Sequence, residues 1–285
     1  FHKEIVIKNY LHISHYFFTK QKLKMLTIFL AKPFLALIFA TIASSLLGVF
    51  VLWKKLFYFG DAMSHSIIFG AALSLVFGTD QTLTLIAFSV VFAVIAHFLS
   101  QKRYANKSMV IAILSYFTIA CAFLLEDFTQ NHDDFHKIIF GDILEIGSKE
   151  IIILSTIAAL SIIYTIFAFR KILLINLNHD LAKIHHININ SWNLSFLILL
   201  SLTVALAVQI VGIFLMTSLL ILPAAIARTF SRSPKEMIIL SLIIAILISS
   251  SSFFVANIYD LKIGATIAIA FCLIFFSCQI FTKSK

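Results

Sequence analysis

Two side chains in the segment Gly60-Asp61-Ala62-Met63-Ser64-His65-Ser66 carry chemistry that the apolar sequence around them lacks. Asp61 and His65 are four residues apart, so on a helix they share one face. A carboxylate oxygen and a neutral imidazole nitrogen are ligands for Zn²⁺ and similar divalent ions. One helix supplies only two of them. Two copies of the chain around a symmetry axis would supply two Asp and two His, enough for a transient four-coordinate ion. The same pair could instead relay protons, since intramembrane carboxylates and histidines also do that. A purely structural reading stays open as well: Asp61 caps a helix start and His65 packs against a neighbour.

Other features are less specific. Ala62, Ser66, Gly70, Ser74 and Gly78 recur at spacing four and form a small-residue face that admits another helix closely. Further on, Gly212 precedes Thr217-Ser218 and Leu222-Pro223-Ala224-Ala225-Ile226-Ala227-Arg228. Pro223 removes a backbone donor and loosens its helix, a weak hint of a moving or gating element. The run His132-Asp133-Asp134-Phe135-His136 could catch a metal ion but reads better as a solvated loop. His97, His179, His185 and His186 read as interfacial or solvated, and Cys121, Cys272 and Cys278 as packing residues in apolar runs. The sequence has no Gly-x4-Gly-Lys-Ser/Thr phosphate loop, no His-Glu-x-x-His and no Gly-x-Ser-x-Gly elbow. It therefore reads as a transport component rather than an enzyme, with no cofactor of its own.

The elements that must position these residues are set by hydropathy. Hydrophobic residues make up 61% of the 285 and charged residues 12%, against about 25% charged in soluble proteins. Mean hydropathy is +1.03. Such a chain cannot cover a water-soluble surface, so it reads as an all-α, polytopic transmembrane bundle. Runs of about 20 apolar residues fall at 34–53, 62–78, 82–100, 108–125, 151–170, 192–210, 212–229, 236–256 and 263–282. That is nine spans, or eight if the soft boundary at Gln209 and Gly212 is not a real break.

With nine spans, Lys54, Lys55, Lys102, Arg103, Lys107, Arg170, Lys171, Lys183, Arg228, Arg232, Lys235, Lys283 and Lys285 all fall on one side. The positive-inside rule makes that side the cytoplasm. Glu126, Asp127, Asp133, Asp134 and Glu145 fall on the other, and the N-terminus lies outside. Residues 1–24 conflict with this, because they carry five lysines. They are expected to be an extension to a single transmembrane domain over residues 25–285, with Met25 as a natural start. The net charge of +9 is loop charge at a lipid bilayer, not a nucleic-acid surface.

Several segments resemble the permease subunits of the ABC-3 family of metal-ion importers. One is Leu52-Trp53-Lys54-Lys55-Leu56-Phe57-Tyr58-Phe59-Gly60-Asp61-Ala62-Met63-Ser64-His65. The others are Phe140-Gly141-Asp142-Ile143-Leu144 and the stretch from Val211-Gly212 to Arg228. The resemblance runs from about residue 33 to 282 and is strongest at the first and third motifs. It implies an importer-type permease for Zn²⁺ or, less closely, Mn²⁺ or Fe²⁺, in a bacterial plasma (inner) membrane. It implies a homodimer, two separate ATP-binding subunits on the cytoplasmic side and an extracytoplasmic metal-binding protein. It strengthens the reading of Asp61 and His65 as metal ligands on the permeation path. By the same resemblance Asp180-Leu181-Ala182-Lys183-Ile184 forms a short helix that docks on the ATPase. The family often has Gly where His186 stands, so the end of that helix is not fixed by the pattern. The alternative class is an ion-coupled secondary transporter.

Overall fold

The computed structural model describes residues 30–101, 107–126 and 146–282. The elements are α1 (Leu30–Lys54), α2 (Phe57–Phe77), α3 (Gln81–Leu99), α4 (Lys107–Glu126), α5 (Ser148–Leu177), α6 (His179–Ile184), α7 (Ile189–Val211), α8 (Ile213–Phe230), α9 (Pro234–Ile258) and α10 (Ile263–Thr282). Among the described residues there is no strand. Helix is the one open-ended element that satisfies its own backbone in lipid. Side-chain caps close several ends: Asp80 accepts from Leu83 N, Asn188 from Ser191 N, and Ser233 from Glu236 N with Pro234 at the first helical position. The sequence expectations for residues 1–24, for the 132–136 run and for Phe140–Leu144 lie outside the described residues.

Helix α1 is the axis of packing. It is heavily enclosed, whereas α10 is mostly lipid-facing. Lys54 and Phe50 of α1 meet Asn193 and Phe196 of α7, while Ala43 clusters with Leu206. Helix α7 is therefore antiparallel to α1. Ser44 Oγ lies 3.6 Å from Met216 Sδ of α8, and Val49 and Leu52 cluster with Ala224 and Ala227. Helix α8 therefore runs parallel to α1, and the chain reverses between α7 and α8.

Gly212 makes that reversal at φ 80° and ψ 164°, backbone that an L side chain rarely adopts. Gly264 at the start of α10 packs on the turn, where an added Cβ would meet Leu215 Cβ at 3.4 Å. The soft boundary in the sequence is thus a true change of direction. By length and apolarity eight described helices can each cross a membrane, and Leu215–Phe230 is a shorter apolar helix. Among the described residues, α1 to α5 and α7 to α10 are nine helices that alternate in direction. Helix α2 starts at Phe57, not near residue 62, because Leu56 to Phe59 already wind with it.

Helix contacts are made by small residues and hydroxyls, as expected where lipid removes any hydrophobic drive between helices. Thr41 Oγ1 donates to Ser249 Oγ at 3.4 Å and Ser241 Oγ to Ser45 O at 3.2 Å, joining α1 to α9. Phe98, Phe117, Phe167, Phe276 and Ile280 are all exposed. On a soluble protein that surface would aggregate, while here it faces acyl chains. Trp53, Tyr164 and Trp192 gather at the end of the bundle that carries Lys54, Lys55, Arg170 and Lys171, as an interfacial aromatic belt does.

Candidate permeation site

Asp61 sits in the second turn of α2, four residues past its start, so it does not cap the helix; the N-cap, Leu56, makes no side-chain cap bond. His65 follows one turn later. Nε2 of His65 and Oδ1 of Asp61 are 3.6 Å apart, with the side chains 41% and 55% exposed. That gap is too long for a good hydrogen bond. Two donor atoms bound to one tetrahedral zinc lie about 3.4 Å apart, given bonds of about 2.0–2.2 Å. The pair is thus spaced to share an ion, and it faces away from its own chain. Among the described residues no group of three or more His, Cys, Asp or Glu stands close enough to hold a metal ion.

The small-residue ladder explains why this face turns outward. Ser115 Oγ of α4 donates to Ala62 O at 3.1 Å, and Thr118 Oγ1 lies 2.8 Å from Ser66 Oγ. Beyond them, Gly70 lies under α3, where an added Cβ would meet Leu85 and Phe88 at 3.0 Å. Ladder positions 62, 66 and 70 are therefore consumed within the chain, against α4 and α3. Gly78 ends the ladder past the helix, in a left-handed C-cap at φ 60°. On the other flank, Gly60 lets α2 close on Leu220 of α8. Pro223 is buried one turn further along α8. Its missing N–H leaves the Leu219 carbonyl without its usual helix partner.

The short helix α6 stands at the basic end. Asn178 caps it, accepting from Asp180 N at 2.8 Å and Leu181 N at 3.4 Å. Asp180 and Lys183 are 3.7 Å apart at the surface. Ala182 is fully buried, while Leu181 and Ile184 are exposed. His186 N donates to Lys183 O and Ile187 N to Ala182 O, a Schellman closure. This fixes the helix end after Ile184 and puts His186 at φ 52°, the left-handed position that suits glycine. The His186→Gly variant should raise the unfolding free energy by about 1 kcal/mol, the lower end of the cost of a left-handed non-glycine residue. A thermal melt in detergent checks it.

Sequence reasoning missed two things. His97 is not solvated: it is 6% exposed, with Nε2 2.6 Å from Gln101 Nε2 one turn on. Gly48 of α1 lies directly on the Leu220 carbonyl of α8. A glycine in an apolar span carries no pattern that names its partner, and a lone histidine near a span end looks the same buried or wet.

Comparison with known proteins gives a family and a fold. A family model described as the ABC 3 transport family matches residues 27–282. The chain is 31% identical over 241 residues to the high-affinity zinc uptake system membrane protein ZnuB of Buchnera aphidicola subsp. Schizaphis graminum, covering 82% of this chain and 91% of that one. It is 25% identical over 257 residues to the manganese transport system membrane protein MntC of Listeria monocytogenes, covering 90% and 92%. Among solved structures, PsaBC from Streptococcus pneumoniae in complex with Fab superposes with a TM-score of 0.77 at 26% identity, covering 88% of this chain and 90% of that one.

Proposed function

The chain belongs to the ABC 3 transport family, and on that premise we propose that it is the membrane-spanning permease subunit of an ATP-driven importer for a divalent metal ion, zinc foremost. The observation that carries this reading is the outward-facing Asp61–His65 pair, spaced for one ion but short of ligands by half. A second copy facing it across a two-fold axis supplies the other half, so the working unit is a homodimer. Zinc is preferred because ZnuB relatives match at 31% and 28% identity and a manganese permease at 25%. Mixed oxygen and nitrogen ligands suit Mn²⁺ and Fe²⁺ as well.

The mechanism is alternating access. An extracytoplasmic metal-binding protein releases the ion at the acidic end. The ion exchanges part of its hydration for the Asp61 and His65 atoms, which must hold it loosely enough to let it leave. Two ATP-binding subunits at the basic end move α6, and α6 moves the spans. The basic end is the cytoplasmic side of a bacterial plasma membrane, by the positive-inside rule. Ala182 seats α6 on its own chain, leaving Leu181 and Ile184 as the apolar contacts a partner's cleft would take.

The test is uptake of labelled zinc by cells lacking other zinc importers, carrying this chain with its ATP-binding partner. Uptake should require ATP hydrolysis. Asp substitutions at both Leu181 and Ile184 should cut it about tenfold or more while the chain still inserts, since a charge at each anchor disrupts a buried contact. Gradient-driven transport by the purified chain alone, or undiminished uptake in the Leu181/Ile184 variant, would overturn the reading.

A further inference from the structure

A cavity of about 440 Å³ opens between the basic ends of α1, α3, α5 and α7, away from the Asp61–His65 face. Its polar lining is Lys54, His97, Ser100, Gln101, Asn176, Asn190 and Asn193, and among the described residues no carboxylate lines it. The volume is that of a small-molecule site. Lys54 Nζ is held at 2.5 Å by Asn193 Oδ1 and stands 5.5 Å from the centre of the Phe196 ring, so its position is fixed. His97 is buried in the wall beside Gln101. Asn176 and Asn190 are exposed at the mouth. An ammonium group beside side-chain amide N–H groups offers charge and donors. It suits an anion and opposes a divalent cation, so this cavity is a poor exit for the metal.

Depth in the membrane narrows the anion. Lys54 and Asn193 each follow a tryptophan of the interfacial belt, Trp53 and Trp192. Aromatic belts lie at headgroup level, and basic pockets between helices on the cytoplasmic side take anionic headgroups. The geometry points to a phosphate-binding site here, filled by the headgroup of an anionic phospholipid. Asn176 and Asn190 flank the segment that holds α6, so a bound headgroup ties α1 and α3 to both ends of the coupling helix. The site is independent of which ion is carried.

The test uses the purified full-length chain, delipidated and returned to nanodiscs of phosphatidylcholine alone or mixed equally with phosphatidylglycerol. Retained lipid is read by native mass spectrometry, and inorganic phosphate is titrated separately by thermal shift. Wild type should retain phosphatidylglycerol, and Lys54→Gln should lose it several-fold with an unchanged melt in phosphatidylcholine. Should Lys54→Gln misfold, Asn176→Asp and Asn176→Lys at the exposed mouth decide the matter: the first should weaken retention and the second strengthen it. Saturable phosphate binding that Lys54→Gln or Asn176→Asp abolishes, without lipid retention, supports the phosphate site with a free solute as its source. Equal retention in wild type and the charge variants, or no binding of either probe, overturns the proposal. Loss of zinc uptake plays no part in this readout, so the two readings fail separately.

Discussion

Replacing Gly48 with alanine should keep the chain from forming a stable bundle. An added Cβ there would press into the backbone carbonyl oxygen of Leu220 on α8. Backbone faces backbone at this point, so no rotamer change can relieve the overlap; α1 and α8 must separate. Overpacking costs about 1–3 kcal/mol where side chains can shift, and this case should lie at or above the top of that range. Gly60→Ala makes the informative contrast. Its obstacle is the Cδ2 methyl of the same Leu220, which can move. The double variant Gly60→Ala/Leu220→Ala should recover part of the stability that Gly60→Ala loses. Leu220→Ala should do nothing for Gly48→Ala. Membrane yield and detergent melting temperature read both, and a Gly48→Ala chain that melts like wild type would remove α1–α8 contact from the account.

The second large effect is expected at the Asp61–His65 pair. Asp61→Ala or His65→Ala should reduce zinc uptake by about tenfold or more, the range seen even for changes behind metal ligands. Assembly should survive, because both side chains point off the bundle. His65→Cys gives a sharper signature. A thiolate still binds zinc but is a soft ligand poorly suited to Mn²⁺, so this variant should keep more zinc than manganese transport. Wild-type uptake in both alanine variants would remove these residues from the path.

Much of this was legible in the sequence, for reasons that can be named. Bilayer thickness forces runs of about 20 apolar residues, so the spans stand out without alignment. Loop lysines and arginines report orientation for the same kind of reason. The Asp61–His65 spacing gave the shared face directly. What stayed hidden depends on contacts between helices. The small residues at positions 62 to 78 announce a close approach but not by what, and only the bundle shows that α4 and α3 take it. The end of α6 was illegible because His186 occupies a left-handed position without being glycine. The break at Gly212 was visible, but whether the chain reverses or bends there depends on α1, which is more than 150 residues away in sequence.

The hydroxyl seam between α2 and α4 sets the size of the smallest moving part. Ser66, Thr118, Ser115 and the Ala62 carbonyl tie the two helices at successive turns, directly behind Asp61 and His65. Separating them in lipid would break the Ser115 Oγ–Ala62 O bond with no water to receive the freed hydroxyl. Asp61 and His65 are therefore mounted on a plank two helices wide rather than on a single rod. On the proposed mechanism, a stroke that turns this pair from one side of the membrane to the other must swing Tyr116 and Phe117 through the surrounding lipid. The viscosity and thickness of the bilayer then enter the rate of turnover, through a helix that carries neither Asp61 nor His65.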